Sequence, residues 1–158
     1  MFSKTTEYAL RATIYIAQKS SEEKKIGIEE IAKAIDSPQS FTAKILQALT
    51  KDNRVISSAR GPNGGFYITD RAKKLPVRVI MEVMGEDDFF KNCVLGLKLC
   101  SEVNPCPMHN EYKPIKQQLM NLFEKKTIQI LADEIKNGDA FIRITGKKLP
   151  VLSKRKKN

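Results

Sequence analysis

The spacing of apolar residues predicts a chain built mainly from amphipathic helices. Three helices are predicted in the first third of the chain, over residues 5–19, 29–35 and 37–51, with Ser37 as the cap of the third. A minimal strand is predicted at residues 26–28. In the last of these, apolar residues follow one another at intervals of four, one and three, at Phe41, Ile45, Leu46 and Leu49. These intervals place the four side chains on one side of a helix, so they form a stripe that faces the core.

The second half of the chain has the same helical periodicity. Further helices are predicted over residues 77–84, 112–125 and 128–135, the last of them capped by Thr127, and residues 85–90 are predicted to be irregular. The longest of them carries an apolar stripe formed by Ile115, Leu119, Leu122 and Phe123. Because the N-terminal helices leave little core for it to cover, this stripe indicates an interface. We therefore expect a homodimer through residues 112–125, the alternative being a helix that packs on its own domain alone.

A β-hairpin is predicted directly after the third helix. Two β-prone segments, residues 55–58 and 66–68, flank a tight basic turn over residues 60–65, RGPNGG. A helix followed by such a hairpin is the element order of a winged helix-turn-helix. The predicted fold is therefore mainly α with a small β-hairpin wing. An ordinary hairpin that needs positive φ at Asn63 or Gly64 is the alternative interpretation of the turn.

The third helix and this turn supply the residues expected to contact DNA. The first turns of a recognition helix meet base edges in the major groove, while glycines allow a close approach of the backbone. An arginine at the tip can enter the minor groove or bind a phosphate. The candidates are Gln39, Ser40, Thr42, Lys44, Arg60, Gly61, Asn63 and Gly64. Taken alone, the helix is more typical of a plain amphipathic helix with a solvated face, and the basic glycine turn behind it is what favours DNA binding.

The charge distribution favours a polyanionic partner. The net charge is +10; residues 1–80 hold 14 basic against 8 acidic residues, and residues 81–146 hold 8 against 10. The last twelve residues hold six basic groups and no acid. DNA fits this pattern, and a merely solubilising surface is the alternative. Without an apolar run of about 18 residues or a secretory leader pattern, we expect a cytoplasmic protein with no membrane segment.

The cysteines indicate a candidate metal site. Cys93, Cys100 and Cys106 fall within fourteen residues, and the one histidine of the chain, His109, lies three residues further. Thiolates with an imidazole or carboxylate can hold an iron–sulfur cluster, or Zn²⁺ as Cys₃His. The wide spacings between the three cysteines differ from the C-x-x-C pairs of common zinc ribbons, so zinc is the weaker hypothesis for the metal. Unligated thiols remain an alternative, and a disulfide does not suit a reducing cytoplasm.

Catalysis finds no support in the sequence. A single histidine has no Ser or Cys partner at a plausible triad spacing, and no phosphate-binding loop of the P-loop type is present. The segment RGPNGGF joins two β-prone pieces and does not open a helix, so it is not a dinucleotide fingerprint. We therefore expect a protein that is not an enzyme.

Three segments of the chain resemble the Rrf-type family of bacterial transcription regulators, which includes IscR, NsrR and CymR. They are EYALRATIYIA, SFTAKILQAL and SSARGPNGGFYI, and three loop cysteines before a long helix add to the likeness. The resemblance implies a dimeric winged helix-turn-helix fold whose long helices cross between subunits. Ser40, Phe41 and Arg60 match the family's DNA-contact positions. Ala43 stands where IscR has an acidic residue that takes part in base discrimination, which puts an IscR-type operator in doubt.

The resemblance also implies a ligand set. Cysteine-bearing members hold a 2Fe–2S or 4Fe–4S cluster on three cysteines, and Cys93, Cys100 and Cys106 match those positions, with one residue more between the first two than in IscR. His109 stands where IscR-like members have their fourth ligand. Glu7 matches the place of the acidic ligand that NsrR-like members donate from the other subunit. His109 is the preferred candidate, and Glu7 from the other subunit is the alternative.

These patterns give one hypothesis with two alternatives. The chain would be a homodimeric, DNA-binding regulator whose iron–sulfur cluster senses iron–sulfur status, redox state or nitric oxide. The cluster can be absent from protein purified in air. Residues 1–84 would bind DNA, residues 85–110 form the sensor loop, residues 111–136 the dimerisation helices, and residues 137–158 a basic, flexible tail. The alternatives are a cluster-free regulator switched by its thiols or a partner, and a zinc-stabilised interaction module.

Overall fold

Helices and one antiparallel hairpin follow each other along residues 1–143, the part of the chain that this computed structural model describes. The N-terminal elements are α1 (Lys4–Lys19), α2 (Ile28–Ile35), α3 (Gln39–Thr50), β1 (Ser57–Ala59) and β2 (Gly65–Tyr67). After the hairpin come α4 (Asp70–Lys73), α5 (Arg78–Val83), a 3₁₀ turn (Asp87–Phe90), α6 (His109–Lys125) and α7 (Ile128–Lys136). The mainly helical content and the single hairpin agree with the sequence prediction.

Helix α1 lies at the centre of the core. Its small buried residues Ala9 and Ala12 let neighbouring helices approach closely, and Ile16 fills the space between them. Helices α2, α3, α5 and α7 all pack against it. Helix α7 contributes the fully buried Ile128 and the nearly buried Ala132 to this core, so α7 belongs to the same core as the N-terminal helices.

The turn between α2 and α3 differs from the prediction that Ser37 caps α3. The structure places the N-cap at Pro38, which makes no side-chain cap hydrogen bond. Asp36 ends α2 in the left-handed region with φ of 54°, and the Ser37 N–H donates to Ala32 O at 3.0 Å. Ser37 therefore completes the end of α2, which is why it does not cap α3. Thr127 does cap α7, as predicted, by accepting from the Ile130 N–H.

A third short extended segment supports the hairpin. The strands pair Ser57 with Tyr67 and Ala59 with Gly65, and Ile26 adds an antiparallel bridge to Phe66. The minimal strand predicted near Ile26 is thus present as a single bridge. This bridge ties β2 to the loop between α1 and α2.

The remaining differences concern short elements. The 3₁₀ turn occupies a stretch predicted to be irregular, and α4 was not predicted. Helix α6 begins at His109, three residues before the predicted start. Most of the predicted flexible tail, residues 144–158, lies outside the described residues. Within residues 1–143, none of the helices has the length and apolar character needed to cross a membrane.

Candidate DNA interface and cysteine site

Helix α3 presents a polar face to solvent and buries the opposite one. Ile45, Leu46 and Leu49 are buried in the core, and the exposed positions are Gln39, Ser40, Ala43, Lys44 and Gln47. The exposed face is the one that the sequence assigns to DNA. Its first two turns carry a cation, a hydroxyl and an amide, which are groups that bind base edges and phosphates.

Thr42 does not belong to this exposed face. Its side chain is fully buried, and its hydroxyl donates to Pro38 O at 3.0 Å, one helical turn earlier. A threonine can satisfy its hydroxyl on its own helix backbone, so it can point into the core at little cost. The expectation that Thr42 faces DNA is therefore wrong.

Phe41 has a structural role in this chain. Its ring is half-buried and meets the edge of Tyr8 with 5.5 Å between ring centroids. The Arg11 guanidinium lies over the other ring of this pair, 4.2 Å from the Tyr8 centroid. Phe41 thus joins α3 to α1, and its contact with DNA stays a prediction.

The turn of the hairpin holds its basic tip in a defined shape. Arg60, Gly61 and Asn63 are exposed, and the Gly64 N–H donates to Gly61 O at 2.9 Å. A Cβ on Gly64 would lie 2.4 Å from Ala59 O, so the backbone itself requires glycine there. Positive φ occurs at Gly61 and Gly65, not at Asn63 or Gly64, which corrects the simple hairpin interpretation.

The cysteine-bearing loop brings its four candidate ligands together in two pairs. The Cys93 and Cys106 thiols are close enough to shift each other's pKa, and Cys100 Sγ lies 3.5 Å from His109 Nδ1. Cys93 and His109 are buried, while Cys100 and Cys106 are half-buried. His109 is also the first residue of α6, so the start of this helix fixes one donor of the site.

The two thiols of the first pair differ electrostatically. The Leu95 backbone N–H, the Cys106 thiol and the charge of Lys116 lower the pKa of Cys93 despite its burial. Burial raises the pKa of Cys106, and the neighbouring Cys93 and Cys100 sulfurs raise it further. Cys93 therefore ionises to the thiolate more readily than Cys106 does, and the thiolate is the form that binds metals.

The second pair lines a small cavity of about 140 Å³. Its other walls come from Phe90 and from Lys113, Lys116, Gln117 and Met120 of α6, with Glu102 at the rim. Lys113 forms an ion pair with Glu102 across the rim. Cationic side chains beside the cysteines favour negatively charged sulfur ligands.

The types of ligand at this site fit an iron–sulfur centre, whereas the distances between them do not yet suit one. Three thiols and an imidazole are the ligand types that such clusters use. Within residues 1–143, however, no three His, Cys, Asp or Glu side chains are close enough together to hold one metal ion. The site therefore consists of two adjacent donor pairs that would have to converge on a shared centre.

Glu7, the alternative fourth ligand, is engaged elsewhere in this chain. Its carboxylate forms an ion pair with Lys4 at 2.7 Å on the exposed side of α1. This hydrogen bond lowers the pKa of Glu7, so the carboxylate is ionised, and it would have to leave Lys4 to act as a ligand. Donation of Glu7 to the other subunit stays a prediction.

Sequence reasoning missed the residues that connect the cysteine site to the rest of the fold. Phe90 is buried, lines the cavity beside Cys100 and lies against Phe123 of α6. Arg78 of α5 stacks over Phe90 and bonds Asp87 at 2.9 Å and Glu124 of α6. The aromatic pair preceding Cys93 is the signal that could have revealed this connection, because adjacent Phe residues in a loop rarely stay exposed.

Comparison with known proteins identifies the family. The sequence model of the Rrf2 family, described as an iron-dependent transcriptional regulator, matches residues 2–134. The chain belongs to the Rrf2 family. An HTH-type transcriptional regulator of Aquifex aeolicus is 35% identical to this Rrf2 chain over 133 residues, which cover 83% of the chain and 90% of the relative. The regulator NsrR of Oceanobacillus iheyensis is 28% identical, with 90% and 95% covered.

The fold of the Rrf2 chain is also that of a solved regulator. CymR, the global cysteine regulator of B. subtilis, aligns with a TM-score of 0.66 over 84% of this chain and 96% of its own, at 16% identity. This likeness confirms the predicted winged helix-turn-helix fold class. The relatives are named as transcriptional regulators, as the family is, so the expectation that the chain is not an enzyme agrees with them.

Proposed function

We propose that this Rrf2 chain is a DNA-binding transcriptional regulator whose DNA affinity is set by an iron–sulfur cluster. The observation that carries the proposal is the placement of four cluster-type donors, Cys93, Cys100, Cys106 and His109, in two adjacent pairs at the start of α6. The description of the family as iron-dependent supports it. Iron–sulfur status, redox state or nitric oxide would be the signal.

An iron–sulfur cluster supplies a centre whose charge and ligand bonds respond to oxidation, reduction and nitric oxide. The residues of this chain would hold it through the Cys93 thiolate first, because its pKa is lowered. The Cys100 sulfur and His109 Nδ1 already approach within 3.5 Å and would turn toward the same centre. Lys116 compensates negative charge on the sulfur atoms.

Packed side chains connect this loop to the proposed DNA-binding face. Phe90 lies against the cysteine cavity and under Arg78. Arg78 belongs to α5, which packs on both α1 and α3. A rearrangement of the loop would move Phe90 and bias the position of α3, which is a population shift between two arrangements.

The DNA side of the proposal uses the exposed face of α3 and the tip of the hairpin. Ser40 and Lys44 would meet base edges or phosphates in the major groove, and Arg60 would enter the adjacent groove. A second subunit would place the same face on a second half-site. The apolar residues Ile115 and Leu122, exposed on α6, are the proposed dimer contact.

Anaerobic purification tests the cluster. We expect a coloured protein with iron and sulfide in matching amounts and little zinc, measured by absorbance and elemental analysis. Cys106→Ala should lose most of the iron, whereas Val103→Ala, an exposed change in the same loop, should keep it. A colourless protein that binds no iron on reducing reconstitution contradicts the proposal.

The fourth ligand is tested in the same preparation. If His109 is the ligand, His109→Ala changes the absorbance spectrum or loses the cluster, and Glu7→Ala leaves it unchanged. The reverse result assigns the ligand to Glu7 from the other subunit.

A cluster-free regulator switched by its thiols is the second candidate. The proximity of Cys93 and Cys106 favours it, because it places two thiols of unequal acidity side by side. Iron-free protein whose DNA binding changes on mild oxidation would support this candidate. One zinc per chain without salt-dependent DNA binding would instead support the zinc-stabilised interaction module.

A further inference from the structure

Arg11 of α1 lies beside the turn between α2 and α3. Its Nη1 donates to Ile35 O, the carbonyl of the last residue of α2, at 3.2 Å. Its guanidinium also lies over the Tyr8 ring, 4.2 Å from the centroid. A carbonyl at a helix C-terminus carries partial negative charge and the face of an aromatic ring is electron-rich, so both contacts favour a planar cation.

Tyr8 extends this contact to α3, the proposed recognition helix. It precedes Arg11 by three residues, so the two side chains share one face of α1. The Tyr8 ring meets Phe41, the third residue of α3, edge to face, with 5.5 Å between the centroids and 83° between the planes. Arg11, Tyr8 and Phe41 are all half-buried, and we call them the stack. The stack joins α1 to the end of α2 and to the first turn of α3.

The start of α3 is not fixed by a capping side chain. Its N-cap, Pro38, makes no side-chain cap hydrogen bond. Ser37 uses its N–H to complete α2, by donating to Ala32 O. Contacts with α1 therefore hold the first turn of α3 in its direction, and the stack supplies such a contact next to the exposed Ser40.

We propose that Arg11 and Tyr8 are positioning residues of the DNA interface. Through Phe41 they hold the first turn of α3 in the direction that lets it discriminate between base sequences. The proposal rests on the proposed function, in which Ser40 of this turn meets base edges. Because phosphate contacts carry no sequence information, the stack sets the ratio of affinities for preferred and unrelated DNA and leaves the number of bound phosphates unchanged.

Fluorescence anisotropy at a series of salt concentrations measures this ratio for full-length variants. One duplex is selected by the wild type from a random pool, and the other is an unrelated duplex of the same length and base composition. Arg11→Gln removes the stacked cation, and Lys19→Gln removes an exposed charge from the same helix. We expect Arg11→Gln to lower the ratio about tenfold, the order of one lost base contact. Lys19→Gln should keep the wild-type ratio, and the two variants should share one salt slope.

Tyr8→Leu and Tyr8→Phe test the middle member of the stack. Tyr8→Phe keeps the ring and should keep the ratio, whereas Tyr8→Leu removes the aromatic face and should lower the ratio as Arg11→Gln does. A variant that is merely destabilised binds both duplexes less in equal proportion, because the folded fraction is the same for both. Circular dichroism and iron analysis check that the variants match the wild type in helix content and in bound metal.

Wild-type ratios in both Arg11→Gln and Tyr8→Leu would overturn the positioning role while leaving the proposed function intact. A salt slope that falls by about 1 in Arg11→Gln alone would also contradict it, because Arg11 would then bind a phosphate itself. A wild type that enriches no sequence from the random pool would instead overturn DNA recognition, and with it the proposed function.

Discussion

At the scale of single residues, the hairpin depends on glycine for a steric reason. Gly65 has φ of 144°, a conformation that other residues rarely adopt, and its place in β2 is set against the Ile26 backbone. A Cβ at this position would lie 2.6 Å from Ile26 O. The bridge between Ile26 and β2 can therefore form because position 65 has no side chain.

Gly65→Ala should destabilise the protein by about 2 kcal/mol, because it adds backbone strain and a clash with backbone atoms that cannot move freely. Urea unfolding followed by circular dichroism measures the free energy of unfolding. Gly27→Ala is the matched control, since its φ is −83° and nothing lies within 4 Å of the added Cβ. We expect the control to stay within about 0.5 kcal/mol of the wild type. Similar losses for both variants would argue against the steric account.

Thr42 shows where residue-level prediction fails. Its position between polar residues and its hydroxyl made it a candidate for DNA contact. The hydroxyl is instead satisfied by Pro38 O, so the side chain can be buried. A pattern of residue types does not reveal such a local backbone hydrogen bond, because threonine is compatible with both solvent and core.

At the scale of elements, the length of a helix determined whether the sequence could predict it. The helices α1, α2, α3 and α7 were predicted to within one or two residues at most ends, because their apolar residues repeat with a helical period. The four-residue helix α4 is too short to show a period. It forms because Thr69 accepts from the Ala72 N–H at 3.1 Å and because Ala72 is buried in the core.

The cysteine site was predictable in composition and not in arrangement. Closeness along the chain brought Cys93, Cys100, Cys106 and His109 into one candidate. Which of them pair follows from the path of the loop and from the start of α6 at His109, and neither has a sequence signal. The ion pair between Arg78 of α5 and Asp87 of the 3₁₀ turn was not predicted for the same reason, because it is a tertiary contact.

That ion pair makes the link between α5 and the 3₁₀ turn sensitive to acid. Hydrogen bonds from Arg78 and then Lys91 lower the pKa of Asp87 below its ordinary value of 3.8. A carboxyl group whose pKa is lower in the folded state stabilises the protein above its unfolded pKa. This contribution is lost as the pH falls through the folded pKa.

Asp87→Asn should therefore cost about 1 kcal/mol near neutral pH. The difference from the wild type should shrink as the pH falls below 3.8, the ordinary pKa of the group, because the wild-type carboxyl is then protonated as well. Urea unfolding at a series of pH values measures this. Asp88→Asn is the control, because Asp88 is 78% exposed and lies 3.6 Å from Lys91. A constant difference across the pH series would contradict the role of the Asp87 charge.

At the scale of the whole molecule, α6 has two different sides. One side meets the 3₁₀ turn and α5. The other side exposes apolar residues, with Ile115 at 60% and Leu122 at 51% of their surface accessible. Leu122 also borders a surface groove together with Ile130 of α7. An exposed apolar surface shared by two adjacent helices is typical of a subunit interface.

The double variant Ile115→Glu/Leu122→Glu should convert the proposed dimer into a monomer, because it places two carboxylates in an interface that would exclude water. Sedimentation velocity measures the mass, and anisotropy measures DNA binding, which should weaken because the two half-sites are no longer bound together. Asn137→Glu is the control: Asn137 is exposed at the end of α7 and lines neither the groove nor the cysteine cavity. It should leave both the mass and the affinity unchanged. A wild type that sediments as a monomer, or a double variant that remains dimeric, would show that this face of α6 is not where the subunits meet.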